Sequence, residues 1–355
     1  MTATATIDLG AFRHNVQTLT ALVSPSAVML AVKANAYGHG MLPLARTALD
    51  SGATSLAVLE IPAAVALRDA GVTAPLFAWL HGIHTDFSAA WRHDIDLGIS
   101  ARWQIASIVA SKPERPVRVH LKVDTGLHRN GASEEDWPAL VADALAAEKS
   151  GAVLVQAAWS HLADASPEDD AEALERLHSA IGVAETLGAR FPQMHLAASS
   201  AGIRMPDARL DLVRFGIAAY GISPFDDVDA KGLDLVPVMT LRTTVTEVDS
   251  DRGTATIGAG FGDGMAAAAL PKAEVFVAGA RRMVRDIGVD SSIIEAREDG
   301  AELVEVGDDV VIFGSGDAGD PTAEEWAAWA DSIGDEIVTQ VATRVPRMYV
   351  GDNDD

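Results

Sequence analysis

A lysine stands at the end of an apolar run in the stretch Ala31 to Gly40, AVKANAYGHG, where Ala27-Val28-Met29-Leu30-Ala31-Val32 gives way to Lys33. Such a run fits a strand buried on both faces, and a lysine at its mouth is costly to bury. Low dielectric lowers the pKa of an amine, so Lys33 is a candidate nucleophile or Schiff-base residue. A snorkelling strand-end lysine is the structural alternative. Gly38 and Gly40 bracket His39 and mark a turn before the next helix. Other apolar runs also end in polar residues. Tyr37 follows the first run, Lys122, Asp124 and Arg129 the fifth, His161 the sixth, and Ser199 and Ser200 the seventh; Arg214 and the backbone of Gly216 and Ile217 belong to the eighth. Singly, His161 could be a core histidine, the arginines ion-pair members and the serines helix caps. Jointly they supply a reactive amine, an aromatic hydroxyl and anion-binding groups, with hydroxyls and backbone amides where a barrel keeps its phosphate site. An amine beside a phosphate site, with no metal cluster expected, points to pyridoxal phosphate bound as a Schiff base. Arg214 is the informative partner. An Asp or Glu beside the pyridine nitrogen would keep it protonated, whereas a fixed cation disfavours that proton. A cofactor so held stabilises a carbanion less fully, which suits moving one α-proton and limits leakage into transamination.

The elements that must position these residues are legible as a rhythm. Before residue 235, eight apolar runs read as strands: Val28 to Lys33, Ser55 to Glu60, Pro75 to Leu80, Asp96 to Ser100, Val117 to Val123, Val153 to Ser160, Met194 to Ala198 and Leu212 to Ile217. Amphipathic segments at Leu42 to Leu49, Pro62 to Ala70, Arg102 to Ser111, Glu134 to Glu148 and Asp169 to Ala189 fall between them. This alternation predicts an α/β fold, a (β/α)8 TIM barrel of roughly 250 residues. An open doubly wound sheet is the alternative, but no Gly-rich dinucleotide fingerprint follows the first strand. The predicted domains are residues 1–235, the cofactor-binding barrel, and residues 236–355, a mostly β domain. ATIDLG near the N-terminus could pair with the second domain, ahead of a helix at Ala11 to Val23. In the second domain, Val236 to Val248, Thr254 to Ile257, Glu274 to Ala280, Met283 to Ile294, Val310 to Phe313 and Glu336 to Arg344 read as strands. Pro321 to Ile333 reads as a helix capped by Thr322, with Glu324 and Glu325 in its first turn.

Composition bounds the rest. The chain has 355 residues, 48% of them hydrophobic, and no cysteine, which rules out disulfides, thiolate metal sites and cysteine nucleophiles. A net charge of -24 argues against nucleic acid and anionic membranes as partners. No apolar run reaches the roughly 20 residues of a membrane span, and the N-terminus lacks a signal core, so a cytoplasmic location is expected.

The motifs VKANAYGHG, LKVDTGLHRNG, WSHLADAS, HLAASSAG and LVRFGIAAYGISP, with RVPR at Arg344 to Arg347, together resemble the alanine racemase family of pyridoxal phosphate fold type III. The resemblance covers essentially the whole barrel in order and spacing. It implies a pyridoxal 5'-phosphate enzyme that racemises a small amino acid, L-alanine to D-alanine. It also implies a homodimer whose active sites join one chain's barrel to its partner's β domain. By the same resemblance Lys33 carries the cofactor and is the base on the D-face. Tyr37, Ser199, Gly216 and Ile217 hold the phosphate, and Arg214 faces the pyridine nitrogen. His161 backs the ring, Arg129 touches the cofactor oxygen and the substrate carboxylate, and Lys122 matches a lysine that is often carbamylated.

The second domain departs from the family pattern. The family's GYADG, whose tyrosine is the base on the L-face, reads here Gly260-Phe261-Gly262-Asp263-Gly264. Phenylalanine keeps the ring but can neither take nor give a proton. The strand-loop before it is short, the pocket-shaping Met-Asp pair is Val289-Asp290, the tyrosine before RVPR is Thr343, and the asparagine before the phosphate serine is Ala198. Besides Tyr37, the only tyrosines are Tyr220, in a barrel motif, and Tyr349, which the motifs leave without a role. Three readings stand: a racemase impaired or altered at its L-face, a one-base pyridoxal enzyme of retro-aldol type on D-amino acids, and a non-catalytic pyridoxal-binding homologue.

Overall fold

The computed structural model describes residues 3–297 and 303–351. Its chain divides into two compact units, one formed by Met1–Thr18, Ala34–Thr47 and Ile217–Asp355, the other by Leu19–Lys33 and Ala48–Gly216. The division is discontinuous and does not fall at a single point near residue 235.

The second of these units is built on eight parallel strands, β2 (Ala27–Ala31), β3 (Ser55–Val58), β4 (Leu76–Ala78), β5 (Ile95–Ile99), β6 (Val117–Lys122), β7 (Val153–Trp159), β8 (Gln193–His195) and β9 (Leu212–Phe215). They pair in chain order from β2 to β8, and β9 returns to pair with β2 in register Val28 to Val213. Between β8 and β9 single hydrogen bonds replace a ladder, from the Asp211 amide to the Met194 carbonyl at 3.2 Å and from the Arg214 amide to the Ala197 carbonyl at 3.0 Å. The result is a nearly closed barrel. Each of the eight apolar runs thus forms a strand, because parallel strands need crossover connections and those crossovers bury both faces. Met29, Ala57, Phe77, Trp159 and Leu212 pack together as one buried cluster. Gly98 is required there: a Cβ on it would lie 2.9 Å from Phe77 Cζ and 3.0 Å from Trp159 Cζ2.

The other unit carries β1 (Thr4–Asp8), β10 (Met239–Asp249), β11 (Thr254–Ile257), β12 (Glu274–Val277), β13 (Ala280–Ile287), β14 (Ser292–Glu295), β15 (Asp309–Phe313) and β16 (Arg347–Val350). The pairings β10–β11–β14–β13–β12–β15–β10 close a ring, and β1 and β16 extend it alongside β10. Helix Ala323–Ala330 is fixed by a capping box. Thr322 Oγ1 accepts from the Glu325 amide at 3.2 Å, Glu325 Oε2 accepts from the Thr322 amide at 2.9 Å, and Trp326 Nε1 donates to the Ile312 carbonyl at 2.7 Å.

Three sequence expectations need correction here. Met283 to Ile294 is two strands, because the chain reverses at Gly288, whose amide donates to the Ser291 carbonyl at 2.8 Å. Glu336 to Arg344 is no strand. Gly334–Thr339 is a short helix that buries Ile337 and Val338, and the final strand is β16. Its β-branched run favours a strand locally, and burial of those two residues on one helical face overrides that preference. The helix expected over Pro321 to Ile333 stops at Ala330, where Asp331 turns left-handed at φ 53°.

Candidate active site

β2 ends at Ala31, and Lys33 opens a single turn of left-handed helix. Ala34, Asn35 and Ala36 have φ of 51°, 55° and 55°, and Tyr37 has φ 50°. L-residues pay roughly 1–2 kcal/mol each for that conformation, so the turn needs support. Amides of Gly38, His39 and Gly40 donate to the carbonyls of Ala34, Ala36 and Asn35 at 2.9–3.0 Å, and Asn35 Oδ1 accepts from the Met41 amide at 2.9 Å. Tyr37 then packs on Tyr220 with ring centroids 4.9 Å apart, and His39 lies on the other contact of Tyr220, also at 4.9 Å. Burial, helped by Asp335, pushes the Tyr37 hydroxyl well above its ordinary pKa, so it stays a neutral donor. Tyr349 acquires a place as well: its hydroxyl donates to the His39 carbonyl at 3.1 Å and occupies the space a Cβ on Gly40 would need.

In the barrel unit, β6 delivers Lys122, the loop after it Arg129, the loop after β7 His161, and β9 Arg214. Lys122 is buried, its Nζ donates to Asn130 Oδ1, and it lies 4.7 Å from the Trp159 ring centroid. Burial first, then Arg214 and Arg129, lower its pKa to about 7, against a smaller opposing pull from Asp124. Arg214 is buried and lies 5.1 Å from the same indole, so Trp159 carries two cations. Nη2 of Arg214 donates to the Ser160 and Leu196 carbonyls, both at 2.8 Å, and meets His161 Nδ1 at 3.2 Å. Nη1 meets His195 Nδ1 at 2.8 Å. Burial lowers the Arg214 pKa to about 9. His161 is held well below its ordinary pKa by burial and by Arg214, Arg129, Lys122 and Lys33, which brings four of the expected site cations within electrostatic reach of one neutral imidazole. Ser199 opens helix Ser199–Arg204, and its Oγ accepts from the Gly216 amide at 3.1 Å, joining two of the expected phosphate contacts. With Ala198 in the cap position, that helix begins without a side-chain cap.

Phe261 and Asp290 both lie in the other unit. The Phe261 amide donates to the Gly288 carbonyl at 2.9 Å and the Gly262 amide to the Val289 carbonyl at 2.8 Å, which zips Gly260 to Gly264 onto the β13–β14 turn. Asp263 is buried, accepts from the Gly260 amide at 3.0 Å and pairs with Arg344 at 3.0 Å. The backbone of the loop is therefore fixed, and it leaves Phe261 and Val289 more than half exposed, with Asp290 exposed beside them. The shortened segment before this loop is a tight connection between β10 and β11 that turns at Gly253, φ 70°. Ile217 lies in the short 3-10 turn Ile217–Tyr220, and Thr343 is exposed.

Three residues of the barrel interior are not singled out by sequence. His195, His120 and Asp96 lie inside strands or at their ends, where polar residues among apolar ones are hard to tell from outward-facing positions; the signals available are the histidine within VRVHLKV and the one that opens HLAASSAG. No group of three or more metal-ligating side chains stands together among the described residues, and no helix is long and apolar enough to cross a membrane.

Comparison with known proteins places these features. Residues 7–224 match the family model for the alanine racemase N-terminal domain, and residues 242–349 that for the alanine racemase C-terminal domain. The chain is 40% identical to an alanine racemase of Thermobifida fusca, over 98% of both chains, and 39% identical to one of Frankia casuarinae, over 98% of this chain and 96% of that one. Its structure superposes on alanine racemase from Streptomyces coelicolor with a TM-score of 0.94, at 36% identity and over 99% and 98% of the two chains.

Proposed function

The chain belongs to the alanine racemase family, and we propose that it racemises alanine with pyridoxal 5'-phosphate carried on Lys33. The observation that carries this is the cation cluster. In a chain of net charge -24, Lys33, Lys122, Arg129 and Arg214 gather around His161, and the last three have no carboxylate within ion-pair reach among the described residues. Lys122 and Arg214 are buried, Lys33 is half-buried and Arg129 exposed, and buried cations without a counter-ion call for an anionic guest. A pyridoxal phosphate with an amino acid carboxylate supplies such charge, and the Ser199 hydroxyl and Gly216 amide are suited to the phosphate. The donor set therefore fits the cofactor.

The cofactor, when bound, supplies the electron sink that makes an α-hydrogen acidic. This chain's residues do the rest. Lys33 Nζ takes or gives the proton on the D-face. Arg214, held on Ser160, Leu196 and His195, presents a cation to the pyridine nitrogen and limits how far charge is drawn into the ring. His161 stays neutral because burial first, and then the neighbouring cation of Arg214, disfavour its charged form. By the family resemblance Arg129 would bind the substrate carboxylate, and Tyr37 and Ile217 would be further phosphate ligands. In a homodimer the partner's Phe261 and Asp290 line the L-face. Phe261 shapes that face but offers no proton, so water or another group must serve there, and racemisation is slower than a two-base site allows.

Neither the retro-aldol reading nor the binding-protein reading finds support among the relatives. The test is D-alanine in D2O. Deuterated L-alanine should appear, and both it and the cofactor absorbance band should vanish in Lys33→Ala. Exchange confined to D-alanine, or no exchange at all, overturns the reading.

A further inference from the structure

Behind Arg214 a row of polar side chains runs across the interior of the barrel. Arg214 Nη1 meets His195 Nδ1 at 2.8 Å, His195 Nε2 meets His120 Nδ1 at 2.9 Å, and His120 Nε2 stands 3.5 Å from Asp96 Oδ2. Asp96 ends the row on Arg118, 2.6 Å away, whose Nη1 reaches Asp94 at 3.0 Å. His195, His120 and Asp96 are all more than nine-tenths buried. Two aromatic rings wall the row. Phe77 stacks on His120 at 4.7 Å and meets His195 edge-on at 5.7 Å, while Trp159 lies nearly parallel to His195 at 5.5 Å.

The direction of every bond in this row follows from one fact. A guanidinium has only donors. His195 Nδ1 must therefore accept, so a neutral His195 carries its proton on Nε2 and donates it onward. His120 Nδ1 must then accept, which places the His120 proton on Nε2, facing the Asp96 carboxylate. A protonated His120 would set its Nδ1–H against the His195 Nε2–H, and a protonated His195 would set an N–H against Arg214. Burial and the cation of Arg214 both oppose a charged His195 in any case. Reversing either bond would set two buried N–H groups against each other, while His120 Nε2, which makes no hydrogen bond of its own, faces Asp96 at ion-pair distance only.

We propose that His120, with Asp96 behind it, is a positioning residue for the reaction: it locks His195 as the Nε2–H tautomer and so keeps a permanent acceptor under Arg214. The carboxylate end polarises the row toward Arg214, which strengthens the His195 acceptor and holds the guanidinium in one orientation. For its consequence in catalysis the inference rests on the cofactor reading above, in which Arg214 faces the pyridine nitrogen. The tautomer itself does not depend on that reading.

The experiment is nitrogen NMR of the purified holoenzyme labelled with 15N-histidine, the His195 signals being identified by their loss in His195→Gln. In the unaltered protein His195 should show a protonated Nε2 and a bare Nδ1, unchanged from about pH 6 to about pH 9, across the range where a free imidazole titrates. His120→Phe keeps a ring and removes the acceptor. His195 should then show mixed tautomers, the cofactor absorbance band should shift, and kcat should fall about tenfold with KM little changed, the rate equivalent of one buried hydrogen bond left unmade. His120→Gln, whose amide oxygen can accept from Nε2–H, should restore all three. Asp96→Asn should move the His195 signals in the same direction by less, and it reports even if His120→Phe does not fold. A His195 that carries Nδ1–H or titrates in the unaltered protein overturns the inference, as does His120→Phe with His195 and the band unchanged. A preparation with no pyridoxal band at all sinks the functional reading instead, while the tautomer still decides this one.

Discussion

Two residues yield measurements of the site's chemistry, Phe261, where the chain departs from its family, and Lys122, where it agrees with it. Phe261 has a fixed backbone and lacks only the hydroxyl, so Phe261→Tyr should raise racemisation, toward the roughly 100- to 10,000-fold that a general acid or base contributes. The rate of L-alanine formation from D-alanine checks it. Lys122 yields a pH prediction. Its folded pKa of about 7 lies below its ordinary 10.5, so between those values the unfolded chain holds the extra proton, and this residue's contribution to stability rises with pH across that window. Below pH 7 the buried ammonium is present and the penalty is complete. The same shift exposes a neutral, nucleophilic amine near neutrality, as the resemblance to a carbamylated lysine requires. Incorporation of 13C-labelled carbon dioxide at Lys122 should therefore grow from about pH 6 to about pH 8. No incorporation at the higher pH would leave Lys122 a plain amine held by Asn130.

At the scale of elements, the barrel strands were legible because each is an apolar run closed by a polar residue. Their ends carry Lys33, Lys122, His161 and Arg214, whose specific roles were legible only through the family resemblance. What stayed illegible has physical causes. Glu336 to Arg344 carries strand formers, but Ile337 and Val338 bury on one side of a helical turn. The reversal at Gly288 to Ser291 hides in a stretch without a strong turn dipeptide. The left-handed turn at Ala34 to Tyr37 has no glycine among its four residues, so composition could not announce it. His195 and Asp96 were missed because position within a strand does not say which face is the barrel interior. Gly98 gives the element-scale prediction. Gly98→Val would drive a side chain into Phe77 and Trp159, so it should destabilise the protein by about 3 kcal/mol, read as a lowered urea midpoint. A midpoint unchanged would mean that the barrel can widen at β5. Tyr349→Phe, which deletes the bond to the His39 carbonyl, should cost about 1 kcal/mol by the same measure.

For the whole molecule, net charge sets the response to salt. At -24 the chain repels itself, and the cations around His161 are an exception to that excess of negative charge. Raising sodium chloride from about 0.01 M to about 1 M shortens the screening length from about 30 Å to about 3 Å, so the melting temperature should rise over that range. A fall would show that attractive ion pairs outweigh the net repulsion. The zipped loop from Gly260 to Gly264 has a further consequence at the level of heredity. Codons for phenylalanine and tyrosine differ at one base, and the loop that would present the hydroxyl is already tied down on both sides, by Gly288 and Val289 and by Arg344. At that position the gene is one point mutation away from regaining a proton donor, and a population kept under demand for D-alanine could recover it in a single step.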